Sequence, residues 1–425
     1  MTFVAELTSR LIRCHPQYRG AGVGAALDLL ADQFGALGFE TELRSIDGDR
    51  LRSSPLYCDV TRWGGIFAGY GFDGVAQLVA TRDFASGGPH VLLNGHIDTE
   101  FVDDEHQWSS PGLWRSGELR GERIYGRGAS DMLGGVSGIV AALRRLVEHP
   151  GLAGRVTVHI VVDEEIGGNG TLALLLDMEA AAVDGRAVDV ALIAEPTAGY
   201  VCASTSGFQQ YRIRCHGNPC HMVYARDGDN ALTQAAHALL ALDEADATLR
   251  RRHPLLPGSR YLLAGKLHGG TDAAIPAASA EIELTAALPP WIAESDALAT
   301  VEEHLARRCT AAGLAIPRVE PYGLSFPGSG AVSHGGAAVS YGEAGDGRSA
   351  LVRALLDADG DLRAGHFPSA CDARLYEHFG IPAIVFGPGD LARAHGPDEY
   401  VTLAELEQFS DSLGSALIGT LGRAS

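Results

Sequence analysis

Three apolar runs in the first half of the chain each stop on a group that can ligate a metal. HVLLNGH stops on His96, RVTVHIVV runs into Asp163-Glu164-Glu165, and DVALIAE stops on Glu195. Short, β-branched runs of this kind read as strands buried on both faces, and such strands need helices on either side. Helical spacing accompanies them in AALDLLADQFGALG and MLGGVSGIVAALRRLVEH. The alternation predicts an α/β fold, a mostly parallel sheet covered by helices. Ligands of open α/β sheets bind outside the carboxyl ends of the strands, which is where these side chains would gather. Asp131, after the turn in YGRGASDMLGG, and His395, in GPGDLARAHGPDE, add two more metal-compatible groups at the ends of local elements.

Near residue 205 the pattern changes to strand FQQYRIRCHG, helix NALTQAAHALLALDEADATLRR, strands RYLLAGKLHGG and SAEIELTAALPP, helix ALATVEEHLARRCTAAG and strand PRVEPYG. The order βαββαβ is that of the ferredoxin-like split motif. We therefore expect a catalytic domain over 1–204, an inserted domain over 205–325, and the rest of the catalytic domain over 326–425. The Gly-, Ser- and Ala-rich stretch 327–347 reads as a return linker.

At 425 residues, two domains are the default. With 53 acidic against 33 basic residues the formal charge is -20, which argues against nucleic acid and anionic membrane as partners. The N-terminus lacks the pattern of a signal peptide, and no apolar run is long enough to cross a bilayer. The seven cysteines are scattered and form no CxxC pair, so neither a disulfide framework nor a structural zinc site is read. The expected compartment is the cytoplasm.

His96 and Asp98 lie two apart at a strand end and can share a face. A ligating His commonly gives its other ring N–H to a carboxylate, so His96 reads as ligand and Asp98 as its orienter. Asp131 follows a glycine-rich turn and opens a helix. In isolation it is an acid favoured by the helix dipole, although a carboxylate at this corner can also bridge two cations. The spacing of GRGASD is wrong for a dinucleotide fingerprint. Asp163-Glu164-Glu165 places three acids after a buried strand, which repel unless solvent or cations compensate. With metals present, Glu165 can ligate while Glu164 stays free as general base. Glu195 ends a buried strand and needs a partner. His395, taken alone, is a surface loop histidine. Two imidazoles and three carboxylates together suit two Zn2+ ions, with Co2+ or Mn2+ as substitutes, better than an all-oxygen site.

From about residue 90 to the C-terminus these segments resemble the co-catalytic zinc metallopeptidases, the family of aminoacylase, acetylornithine deacetylase, succinyl-diaminopimelate desuccinylase and glutamate carboxypeptidase. The resemblance implies Asp131 as the bridging ligand, with His96 and Glu195 completing one metal site and Glu165 and His395 the other. It places Glu164 at the general base and Asp98 at the histidine-orienting carboxylate. The inserted domain resembles the family's lid, which commonly carries the contact of a homodimer. In it, His221, Tyr224 and Asn230 fall in the segment where a lid histidine reaches a neighbouring active site and helps hold an oxyanion. Arg374, in SACDAR, falls where relatives hold a substrate carboxylate, for which a guanidinium fork is suited. Leu133 replaces a Lys common in relatives, and Ser206 stands where readers of acidic acyl chains carry a basic residue. Both departures bear on specificity, and they count against a diaminopimelate substrate.

The resulting expectation is a dinuclear zinc amidohydrolase that removes an acyl group from an N-acyl amino acid or related small metabolite. An exopeptidase or dipeptidase with the same centre is the nearest rival. A metal-binding but non-hydrolytic binding or assembly protein is a rival of another class, against which Glu164 beside a complete ligand set argues.

Overall fold

The computed structural model describes residues 1–18, 20, 22–63, 67–102, 104–180, 187–253, 260–330 and 347–422. The chain divides into two compact units. One comprises residues 1–204, 330–367 and 371–425, the other residues 205–329 with 368–370. Most of the stretch read as a return linker, from 331 to 346, lies outside the described residues.

The strands, in chain order, begin with β1 (Glu40–Ser45), β2 (Ala76–Asp83), β3 (Ala85–His96), β4 (Glu118–Arg120) and β5 (Arg123–Tyr125). Then come β6 (Ala153–Val161), β7 (Val190–Ile193), β8 (Tyr200–Thr205), β9 (Gly207–His216) and β10 (Leu262–Gly269). The last are β11 (Ser279–Leu288), β12 (Arg318–Phe326), β13 (Arg363–Phe367), β14 (Ala383–Val385) and β15 (Tyr400–Thr402). The helices of the first half are α1 (Phe3–Cys14), α2 (Gly22–Ala36), α3 (Gly48–Ser53), α4 (Gly134–Glu148) and α5 (Asn169–Ala180). Those of the second are α6 (Ala231–Arg252), α7 (Glu294–Ala311), α8 (Gly347–Ala358), α9 (Ala373–His378) and α10 (Leu403–Thr420).

The first unit is built on an eight-stranded sheet in the order β1-β2-β6-β3-β7-β14-β8-β13. Its centre is parallel, with β3 against both β6 and β7, and β7 against β14. The flanks β1/β2, β2/β6 and β14/β8 are antiparallel. Burial explains the division. β6 and β7 are buried along almost their whole length and need helices on both faces, whereas β1 is largely exposed and serves as an edge. The apolar side of α4 packs into this core. Gly135 lets it approach closely, because a Cβ there would lie 2.1 Å from the Ala194 carbonyl.

A separate three-stranded sheet, β15-β5-β4, pairs Tyr400 with Tyr125 and Thr402 with Arg123. It draws the chain around His395 against the glycine-rich turn before Asp131. Beyond β15, α10 starts on a capping box in which Thr402 and Glu405 satisfy each other's backbone amides, a motif that contributes about 1 kcal/mol. Three-residue strands carry too little periodicity to be read from sequence, so the short β15 beyond the IPAIVFGPG strand was not expected.

The second unit is an antiparallel sheet in the order β10-β11-β9-β12, joined through α6 and α7 as βαββαβ. Burial alternates along β9 and β11, as expected when one face is covered by helices and the other is not.

Candidate metal centre

Because β6, β3 and β7 are parallel neighbours, their carboxyl ends lie side by side. His96 pairs in register with Val161 and Asn94 with Ile193, so His96, the acidic run after β6 and Glu195 arrive at one edge. Asp131 and His395 join them there. Asp131 Oδ1 lies 3.2 Å from His96 Nε2, and Asp131 Oδ2 lies 3.3 Å from His395 Nε2. A single carboxylate therefore spans both imidazoles. Glu195 Oε1 is 3.7 Å and Glu164 Oε2 4.0 Å from His96 Nε2, while Glu165 Oε2 is 2.9 Å from His395 Nε2. One donor atom from each of His96, Asp131 and Glu165 fits within 4.8 Å, and the same holds for His96, Glu164 and Glu195.

The donor set fits divalent cations. Burial raises the pKa values of Glu164 and Glu195 well above the usual carboxylate range, and Glu165 is raised as well. Each also feels the Asp131 charge. Burial would raise Asp131 too, but its hydrogen bonds to His395 and His96 hold it far below the ordinary value. Burial opposes charge on His96, yet the surrounding carboxylates carry its pKa well above normal. Five acids (Asp98, Asp131, Glu164, Glu165 and Glu195) crowd two imidazoles. Cations are the simplest compensation for such an excess.

At four residues the local geometry departs from the expectation or adds to it. Asp131 does not open α4; it sits at φ -120° and ψ 95° within the turn Ala129–Leu133, and this extended backbone aims its carboxylate at the imidazoles. Asp98 does not orient His96 chiefly through its carboxylate. His96 Nδ1 lies 2.9 Å from the Asp98 main-chain carbonyl and 3.7 Å from Asp98 Oδ1. Donation to that carbonyl leaves Nε2 facing Asp131, to which the charged ring donates and from which a bound cation would displace the proton. The Asp98 carboxylate accepts instead from the Glu165 amide at 3.2 Å, and burial pushes it up to about 8 against the pull of His96. Arg374 is buried, and its Nη2 donates to the Gly167 carbonyl at 2.7 Å, so it also braces the loop carrying Glu164. Asn230 Oδ1 caps α6 by accepting from Leu232 and also accepts from the Ala277 amide, a structural use of the group expected to bind substrate.

His221 and Tyr224 belong to the second unit, around the short turn Met222–Tyr224, and both are exposed. Their rings are in edge contact at 6.2 Å. Leu133 is fully buried in the apolar core, and Ser206 is also buried.

Sequence reasoning missed Arg127, Glu399 and Glu100. Glu399 Oε1 accepts from the amides of Ser130 and Asp131, and Oε2 accepts from Arg127 at 2.8 Å. Arg127 also donates to the His395 carbonyl at 3.1 Å. Both residues stand inside motifs singled out for their neighbours, YGRGASD and AHGPDE, but nothing in a linear pattern pairs them. The acidic run divides as well: Asp163, at φ 63°, accepts from the Tyr70 hydroxyl at 2.6 Å.

The chain matches Peptidase family M20/M25/M40 over residues 92–418. It belongs to that family. Among curated relatives, N-acetyl-L-citrulline deacetylase of Xanthomonas campestris pv. campestris is 28% identical over 362 residues, covering 82% of this chain and 86% of that protein. Human carnosine dipeptidase 1 superposes with a TM-score of 0.66 at 13% identity, covering 98% of this chain and 96% of that one. A dinuclear metal-binding M20 peptidase of Bacillus subtilis superposes with a TM-score of 0.58 at 15% identity, covering 98% and 97%. These likenesses agree with an α/β fold built on a large sheet whose centre is parallel. Among the described residues no helix is long and apolar enough to cross a membrane.

Proposed function

We propose that this M20-family chain is a dinuclear zinc amidohydrolase that removes the acyl group from an N-acyl amino acid or related small metabolite. The observation that carries this reading is the Asp131 carboxylate spanning His96 and His395, with Glu164 beside it. The deacetylase name of a relative covering most of this chain supports deacylation. His96, Glu195 and Asp131 would hold one ion, and His395, Glu165 and Asp131 the other. A bound pair of divalent ions makes water acidic enough to attack at neutral pH and stabilises charge developing on the amide oxygen.

Glu164 does the proton work. It takes a proton as the water oxygen bonds to the carbonyl carbon, and gives it to the amine nitrogen as the C–N bond breaks. Asp98 and Arg374 hold its loop through the Glu165 amide and the Gly167 carbonyl.

The second unit serves as a lid and as the contact of a homodimer, with His221 and its neighbour Tyr224 reaching the substrate oxyanion in the closed state. The scattered spacing of the seven cysteines, with no CxxC pair, supports a cytoplasmic location. Turnover of a panel of N-acyl amino acids beside free dipeptides, with detection of released amine, tests the assignment. Faster cleavage of the dipeptides would make the chain a peptidase, and metal-loaded protein inert on both panels would refute the hydrolytic reading.

A further inference from the structure

Glu100 lies just beyond the His96–Asp98 strand end, and nothing in the sequence pattern marks it. Its amide donates to Glu165 Oε1 at 3.3 Å, and its own Oε2 accepts from the Phe101 amide at 3.2 Å. The Tyr18 ring packs on Phe101 at 4.6 Å, and the Glu100 charge bears on the Tyr18 hydroxyl. The carboxylate is therefore held beside Glu165 rather than loose in solvent. One donor atom from each of Glu100, Glu165 and His395 lies within 4.8 Å of the others. Two ligands about 2.1 Å from one ion stand at most about 4.2 Å apart, so small side-chain rotations close the set.

We propose that Glu100 is an additional ligand at the His395 end of the centre, making that end an oxygen-rich site for a manganese-type divalent cation. This rests on the dinuclear reading above. The two ends then differ in chemistry. The His96 end offers an imidazole with Glu195 and one oxygen of Asp131. The His395 end offers an imidazole with Glu165, Glu100 and the other oxygen of Asp131. Carboxylate donors suit manganese and magnesium whereas imidazole suits zinc and copper, and with one imidazole at each end it is the extra carboxylate that separates the two. A fourth donor that is anionic and hard shifts the balance at one end only, so the two positions would discriminate between ions.

Metal-free full-length protein, titrated calorimetrically with Mn2+ and separately with Zn2+, tests this beside Glu100→Gln and Glu100→Asp. Wild type should bind two ions. Glu100→Gln should weaken Mn2+ at one position by about tenfold or more and Zn2+ less, so that the preference for Mn2+ falls there while the other position keeps its affinity. Glu100→Asp retains an oxygen donor and should recover part of the loss. Unchanged affinities for both ions, with a raised KM confined to substrates bearing a free ammonium group, would make Glu100 a substrate anchor and overturn the proposal. Equal weakening at both positions for both ions would make it merely structural and overturn it as well. Wild-type protein that binds no second ion would instead defeat the dinuclear reading, before Glu100 enters.

Discussion

Arg127 and Glu399 form a buried ion pair, Nη1 to Oε2 at 2.8 Å, that holds the turn carrying Asp131 and the loop carrying His395 from behind. Glu399 fixes the amide of Asp131, and Arg127 fixes the carbonyl of His395. Removing one partner strands the other as a buried charge, at a cost of about 3–5 kcal/mol. Arg127→Met should lower stability by that order in urea denaturation. In the folded fraction it should weaken metal binding about 10–100-fold, the range for residues that orient ligands. Wild-type metal affinity in a stable Arg127→Met protein would show that the pair serves only the fold.

Adjacent acids should separate metal binding from proton transfer. Glu164→Gln keeps its size and should retain metal while kcat falls by about 10²–10⁴. Glu165→Gln removes a donor 2.9 Å from His395 and should lose metal first. Metal content by elemental analysis, set beside kcat, distinguishes the two. Near-normal turnover by Glu164→Gln would move the base role elsewhere.

The loop carrying Glu164 turns through Gly168 at φ +72°, where a Cβ would lie 2.5 Å from Asp372 Oδ1 and 2.9 Å from the Leu375 side chain. Gly168→Ala should therefore cost about 1–3 kcal/mol and depress kcat more than KM, since the base moves with its loop. Denaturation and steady-state kinetics on one preparation check both. An alanine enzyme matching wild type would mean that the loop adapts without moving Glu164.

Two buried histidines make acid stability predictable. Burial lowers His366 to about 4 and His159 to about 3, against about 6.5 in an unfolded chain. Each folded value lies below the unfolded one, so below pH 6.5 the unfolded chain binds more protons. The stability associated with the neutral rings is complete above pH 6.5 and is lost as pH falls towards 4, by up to about 1.4 kcal/mol per pH unit for each ring. Urea melts of wild type and His366→Asn between pH 7.5 and 5 should show a shallower decline in the variant. Parallel declines would indicate that His366 is already charged when folded.

If His221 completes the oxyanion hole only on closure, His221→Ala should lower kcat by about 10²–10³ with metal content unchanged. Where a partner subunit supplies it, mixing His221→Ala with Glu164→Gln chains should restore part of the activity, because some hybrid dimers hold one intact composite site. Verified hybrid dimers without recovery would exclude donation between subunits.

Much of the centre was legible because strand endings are local. The runs before His96, Glu164-Glu165 and Glu195 announce buried strands, and parallel strands bring their carboxyl ends to one edge whatever their order in the chain. The βαββαβ order of the second unit was legible for the same reason, since β9, β11, α6 and α7 are long enough to display their period. Asp131 and His395 were placed by motif and not by periodicity, because each lies in a turn.

Residue type and short-range spacing thus determined the alternating fold, the inserted unit and the identity of the clustered acids and imidazoles. Tertiary structure alone decided which atoms face one another. It set the Asp98 main chain rather than its carboxylate against His96 Nδ1, turned Arg374 towards Gly167, spent Asn230 on a helix cap, and joined Arg127 to Glu399 across β15 and β5. Each of these outcomes depends on hydrogen-bond geometry at a scale of tenths of an ångström between segments remote in sequence or locally turned. A linear pattern records which groups are present but not the direction in which folding points them.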